Sequence, residues 1–105
     1  MAPGEHTVRP LSMTQTRSMQ LQSPWWVYIL YSVSSGRTYT GFAKDPQARL
    51  IKHNAGKGAR YTRFGRPWRL VYMEPQDTHQ DALRRERAIK RLNRTAKMIL
   101  AGLAA

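Results

Sequence analysis

The sequence predicts an α+β fold, a small three-stranded antiparallel sheet packed by helices in the order ββαβαα. Two aromatic and β-branched runs flank Ser34-Ser35-Gly36, which predicts a hairpin. Helix-start signatures follow at Asp45-Pro46 and at Thr78. A third strand-like run, WRLVYME at 68–74, lies between them.

Residues 25–33 (WWVYILYSV) are too short for a membrane span and end in a turn signal, so they read as the first strand. Residues 37–42 (RTYTGF) alternate and supply its partner. A register symmetric about Val33-Ser34 would set Tyr28 directly opposite Tyr39. Asp45 is a natural N-cap and Pro46 a natural first helical residue, and the helix should run to about Asn54 and stop at Gly56. Residues 57–66 (KGARYTRFGR) read as a basic loop. Thr78, with Asp81 three positions on, opens a helix over about 79–92, and Thr95 can cap a third running to about Leu103. Residues 1–23 are rich in Ser, Thr, Gln and Pro without a sustained period, and are expected to be a disordered extension before a folded domain at 24–105. Met13 and Met19 leave open a start site placed too early.

At 105 residues the chain has room for one domain with a modest core. Its 18 Lys plus Arg against 6 Asp plus Glu give a formal charge of +12. Such an excess repels itself and favours a polyanionic partner, and Arg (13) over Lys (5) suits phosphate geometry. Nucleic acid fits better than a membrane, because nothing approaches the roughly 20 apolar residues of a span and no helix has a clean basic and bulky apolar division. With no cysteine there is no disulfide, thiolate zinc site or cysteine nucleophile. No secretory signal is visible, so the expected compartment is the cytoplasm.

The first helix, on a wheel of about 100° per residue, gathers Ala48, Ile51 and Ala55, with Leu50 at the edge, into an expected core stripe. Arg49 and His53 fall together on the other side, as a solvated face or as part of a site. On the second helix Glu86 lies within the arc of Ala82, Leu83, Ile89 and Leu92. A carboxylate there is either paired with a neighbour such as Arg85 or Arg87, or a ligand for a hard cation such as Mg²⁺. Tyr28 and Tyr39 can be packing or site residues, and Tyr31, Tyr61 and Tyr72 read as core or rim. Gly41 allows a close backbone approach or a bulge. The loop from Gly56 to Tyr61 lacks Walker spacing, and His6 and His79 lack partners at zinc-ligand spacing.

Trp26-Val27-Tyr28, Tyr39-Thr40-Gly41, Arg49, His53 and Glu86, in that order, resemble the GIY-YIG nuclease domain over about residues 24–103. The segments RLIKHN at 49–54, GKGARYT at 56–62 and ERAIK at 86–90 make the chain similar to the small stand-alone bacterial YhbQ-like group and to the Slx-type endonuclease catalytic domain. The resemblance implies phosphodiester hydrolysis with one divalent metal, Mg²⁺ or Mn²⁺. It implies Tyr39 as general base supported by Tyr28, Arg49 on the scissile phosphate, Glu86 on the metal, and His53 in proton transfer or phosphate contact. Lys52, Asn54, Lys57, Arg60 and Arg63 are the expected nucleic-acid contacts, with Gly41 structural at the site. Trp26 replaces the glycine of the first motif and Thr40 the isoleucine of the second, and Asn93 is the nearest counterpart of a further polar residue beyond the glutamate. DNA is favoured over RNA as substrate, in branched, nicked or single-stranded form, and the chain is expected to be a monomer, with a protein partner able to supply recognition. The rivals are a non-catalytic nucleic-acid binder on the same scaffold and an accessory subunit active only with a partner.

Overall fold

A computed structural model describes residues 24–104, so the expected extension over residues 1–23 lies outside the described residues. Its elements are β1 (Trp25–Ser32), β2 (Thr38–Ala43), α1 (Pro46–Asn54), a 3₁₀ turn (Arg60–Arg63), β3 (Trp68–Gln76), α2 (His79–Lys90) and α3 (Arg94–Leu100). This is the expected ββαβαα order, with the 3₁₀ turn formed inside the basic loop.

The sheet is antiparallel with order β2-β1-β3, which puts the first strand in the middle. That placement explains its composition. Helices cover both faces, so β1 is buried almost without interruption instead of alternating. On one face Trp26, Tyr28, Leu30, Trp68 and Met73 pack with Tyr39, Leu70 and Leu50 of α1. On the other, Val27, Ile29 and Tyr72 pack against Ala82 and Ile89 of α2 and against Leu100 and Ala101 at the end of α3. Full burial of each large apolar side chain contributes about 1.5–3 kcal/mol.

The hairpin register differs from the expected one. Tyr28 pairs with Gly41, and Tyr39 pairs with Leu30, so the tyrosines are diagonal neighbours on one face. The hairpin is centred on Ser34-Ser35, one position later than the symmetric reading assumed, so the loop between Ser32 and Arg37 is two residues longer, closed by Ser32 N to Arg37 O at 2.9 Å and Gly36 N to Ser32 O at 2.7 Å.

Asp45 caps α1 by accepting from Ala48 N at 3.1 Å, and Gly56 turns the chain beyond its end with φ +76°. The stripe expected on this helix is inverted. Ile51 is 71 % exposed and Ala48 and Ala55 are also outside, whereas Pro46 and His53 are buried and Leu50 packs on the sheet. Hydrophobicity alone ranks isoleucine inside and histidine outside. Polar partners on other elements reverse the ranking here.

Thr78 caps α2 by accepting from Asp81 N at 3.0 Å, while the Asp81 side chain turns to Arg84 at 3.2 Å. The cap of α3 is Asn93, not Thr95: Asn93 Oδ1 accepts from Ala96 N at 2.8 Å, and the helix ends at Leu100. Leu92 falls beyond α2 and is 37 % exposed, so it does not extend the buried arc of Ala82 and Ile89. Arg85 forks onto Glu74 at 2.7 and 3.1 Å, and Tyr72 and Gln76 donate to the same carboxylate. This cluster fastens α2 to β3 and uses the arginine that could have paired with Glu86.

Candidate active site

Two strands and one helix converge on Tyr28, Tyr39, Arg49 and His53. Tyr28 and Tyr39 rise from the α1 face of the sheet with ring centroids 6.4 Å apart, and the His53 ring lies 5.0 Å from Tyr39 and 6.3 Å from Tyr28. The Tyr28 ring can lie flat over β2 because its cross-strand partner is Gly41. A Cβ at Gly41 would stand 2.7 Å from the Tyr28 hydroxyl and 3.1 Å from Tyr39 Cε2.

The hydrogen bonds of His53 fix its tautomer. Thr62 has one hydroxyl proton and donates it to Ala59 O at 2.8 Å. Thr62 Oγ1 must then accept from His53 Nδ1 at 2.7 Å, which places the ring proton on Nδ1. His53 Nε2 is left as an acceptor, so the Tyr28 hydroxyl, 3.1 Å away, is the donor. Burial and the nearby Arg49 charge hold His53 below its usual pKa, so the neutral ring this chain of bonds requires is the favoured one. His53 is 0 % exposed and both its nitrogens are engaged within the protein. Phosphate contact is therefore closed to it, and its reach into the site runs through Tyr28.

The two phenols are not equivalent. Burial pushes Tyr28 up to about 12, with Tyr39 adding to the rise and the Arg49 hydrogen bond and charge opposing it. Tyr39 is raised by burial and then by Glu86, and lowered by Arg49. Its hydroxyl has no hydrogen-bond partner among the described residues, and the residue is only half-buried. Arg49 Nε is buried and likewise without a hydrogen-bond partner among them.

Glu86 is indeed largely buried, with a side chain 14 % exposed, but its ion-pair partner is Lys90 of the next turn, at 3.5 Å, and neither of the adjacent arginines. Its charge is felt by both tyrosines. No group of three His, Cys, Asp or Glu side chains able to hold a metal occurs among the described residues. A single carboxylate does not suit zinc, which takes three or four protein ligands. It does suit Mg²⁺ or Mn²⁺, which take one or two carboxylates and fill the remaining positions with water and substrate phosphate.

Lys52, Lys57, Arg60 and Arg63 are all exposed. Asn54 is placed otherwise. Its amide donates to Trp68 O at 3.1 Å and accepts from Trp68 N at 2.6 Å, locking the end of α1 to the start of β3. Three contributors had weak sequence signals. Thr62 is buried and orients His53. Gly58 passes so close that a Cβ would run into the His53 ring. Tyr61 stacks on Tyr39 with ring centroids 6.0 Å apart and carries the Arg37 guanidinium 4.5 Å from its own ring centroid, and the sequence offered it no partner. Only the glycine spacing in the 56–61 segment hinted at the second of these. The two motif departures each bury a polar atom, Trp26 Nε1 and Thr40 Oγ1, that has no hydrogen-bond partner among the described residues.

Residues 24–99 match the family model described as the GIY-YIG catalytic domain. A UPF0213 protein of Staphylococcus saprophyticus is 48% identical over 75 residues, 71% of this chain and 90% of that protein. One from Staphylococcus epidermidis is 51% identical over 73 residues, 70% of this chain and 88% of that protein. The solution NMR structure of a UPF0213 protein from Bacillus halodurans is 40% identical, covering 75% of this chain and 83% of that one with a TM-score of 0.47. No helix among the described residues is long and apolar enough to cross a membrane. With its tyrosine pair, arginine and glutamate inside the matched span, this chain belongs to the GIY-YIG family and is a relative of the UPF0213 proteins.

Proposed function

We propose that this chain is a divalent-metal-dependent endonuclease that hydrolyses phosphodiester bonds in DNA, acting on branched, nicked or single-stranded forms. The observation that carries the reading is a half-exposed phenol, Tyr39, beside a guanidinium, Arg49, with neither the phenol hydroxyl nor the guanidinium Nε hydrogen-bonded among the described residues. Family membership supports the reaction class.

In this reading Arg49 binds the scissile phosphate and offsets the charge that grows on its oxygens. The oxygen of a water bonds to phosphorus, the bond to the leaving oxygen breaks, and the water's proton passes to Tyr39. Tyr39 must first be a phenolate, and burial and Glu86 both oppose that while Arg49 alone favours it. A divalent cation held by Glu86 would cancel the opposing charge and stabilise the leaving oxygen. Lys90 is half exposed at 51 % and free to swing from Glu86 into solvent. Tyr28 keeps its proton and donates it in the hydrogen bond to His53, which makes it a positioning group for Arg49 and Tyr39. Lys52, Lys57, Arg60 and Arg63 are the proposed backbone contacts, which hold the strand without reading its sequence.

The test is incubation of the pure protein with branched, nicked and single-stranded DNA and Mg²⁺, beside Glu86→Gln and Arg49→Ala. Cleavage confined to the wild type supports the assignment; equal cleavage by all three proteins defeats it.

A further inference from the structure

The 3₁₀ turn is followed by Phe64, which is 75 % exposed, the highest value among the large apolar residues described. A lone exposed apolar residue needs no explanation. The surroundings of this one do. It borders an open groove of about 520 Å³ lined by Asn54, Arg63, Phe64, Gly65, Arg66 and Pro67, with two arginines and no carboxylate. The backbone beneath the ring is fastened to the hairpin turn. Arg37 Nη2 donates to Phe64 O at 2.6 Å, and Ser32 Oγ donates to Gly65 O at 2.6 Å. Arg66 Nε closes the loop on Arg63 O at 3.1 Å.

The same Arg37 connects the groove to the active site. Its guanidinium lies 4.5 Å over the Tyr61 ring, and Tyr61 stacks on Tyr39. An exposed ring on a pinned loop, flanked by cations and one stacked aromatic from the proposed base, has the make-up of a stacking platform.

We propose that Phe64 stacks an unpaired nucleobase of the bound strand, with Arg63 and Arg66 on the adjoining phosphates, so that the protein selects strands with an unstacked base beside the scissile phosphate. This rests on the nuclease reading for its register, but the contact itself is one of binding. A duplex offers no free base face, whereas a single strand or a branch point does. Pinning the loop lowers the ordering cost of presenting the ring.

The experiment measures Kd by fluorescence anisotropy, without divalent cation, for a labelled single strand and for a duplex of the same sequence. The wild type should favour the single strand. Phe64→Ala should weaken single-strand binding about 5- to 150-fold, the usual worth of one stacked base, and leave duplex binding unchanged. Phe64→Trp should keep the preference, Phe64→Leu should lose it, and Ile99→Ala, another exposed apolar site, should behave as wild type. Arg63→Ala should flatten the dependence of log Kd on log salt, which the Phe64 variants should not alter. The proposal is overturned if Phe64→Ala binds single strands as wild type does, or weakens both forms equally, or is matched by Phe64→Trp. Because no cleavage is involved, a protein that stacks yet never cuts would refute the catalytic reading and leave this one standing.

Discussion

The Tyr28 hydroxyl donates to His53 Nε2 across 3.1 Å, and that bond divides the labour between two otherwise similar tyrosines. Tyr28 is bound into a buried chain that runs through His53 to Thr62 and ends on the Ala59 carbonyl. The Tyr39 hydroxyl has no hydrogen-bond partner among the described residues. Tyr28→Phe should therefore leave a buried acceptor unsatisfied and lower stability by about 1–3 kcal/mol. Tyr39→Phe should change stability by no more than about 0.5 kcal/mol. Urea denaturation of the two variants decides the matter, and equal losses would contradict the division.

His53 is held below its usual 6.5 by burial and by Arg49, so its folded-state pKa is depressed. The unfolded chain binds a proton that the folded chain rejects. Stability should be complete above about pH 6.5 and should fall as the pH drops through the folded-state value. Urea midpoints taken between about pH 7.5 and 5, above the range where ordinary carboxylates titrate, should decline. A flat profile would mean that His53 takes up a proton as readily in the folded chain as in the unfolded one, and the buried neutral ring would fail.

Two glycines are required by neighbouring side chains. At Gly58 a Cβ would strike a ring that hydrogen bonds hold at both nitrogens, so Gly58→Ala should cost about 1–3 kcal/mol. Gly41→Ala meets Tyr28 Oη at 2.7 Å and should displace that ring, reducing any nuclease activity along with stability. Thermal melts and cleavage assays on the same samples separate the two effects. A Gly58→Ala melt identical to wild type would show that the loop yields freely.

Thr40 Oγ1 is buried without a partner among the described residues. Thr40→Val keeps the shape and removes the stranded hydroxyl, so it should stabilise the fold by about 1 kcal/mol or more and leave the site chemistry unchanged. A destabilised Thr40→Val variant would show that the hydroxyl has a partner after all.

Much of the fold was legible because its signals are local. Asp45 and Thr78 cap the helices they announce, and the three strand runs pair in one antiparallel sheet. The failures share a cause. Ile51 lies outside and His53 inside because Tyr28 and Thr62, 25 and 9 residues away in sequence, satisfy the imidazole. Tyr39 pairs with Leu30 because the turn is longer than symmetry about Val33-Ser34 allowed. Asn93 displaces Thr95 as a cap because either side chain can serve and the end of α2 sets where the next helix starts. In the site, the named tyrosines, Arg49 and His53 do come together. Thr62, Gly58 and Tyr61 were obscure because each matters only through a residue distant in sequence.

In the proposed mechanism Tyr39 accepts the proton while Tyr28 holds the site. Single-turnover cleavage of a branched DNA in Mg²⁺, by wild type, Tyr39→Phe and Tyr28→Phe at matched folded fractions, tests it most directly. Tyr39→Phe should lose about 100-fold or more, the usual worth of a general base, and Tyr28→Phe should lose less. Cleavage by Tyr39→Phe at the wild-type rate would contradict it.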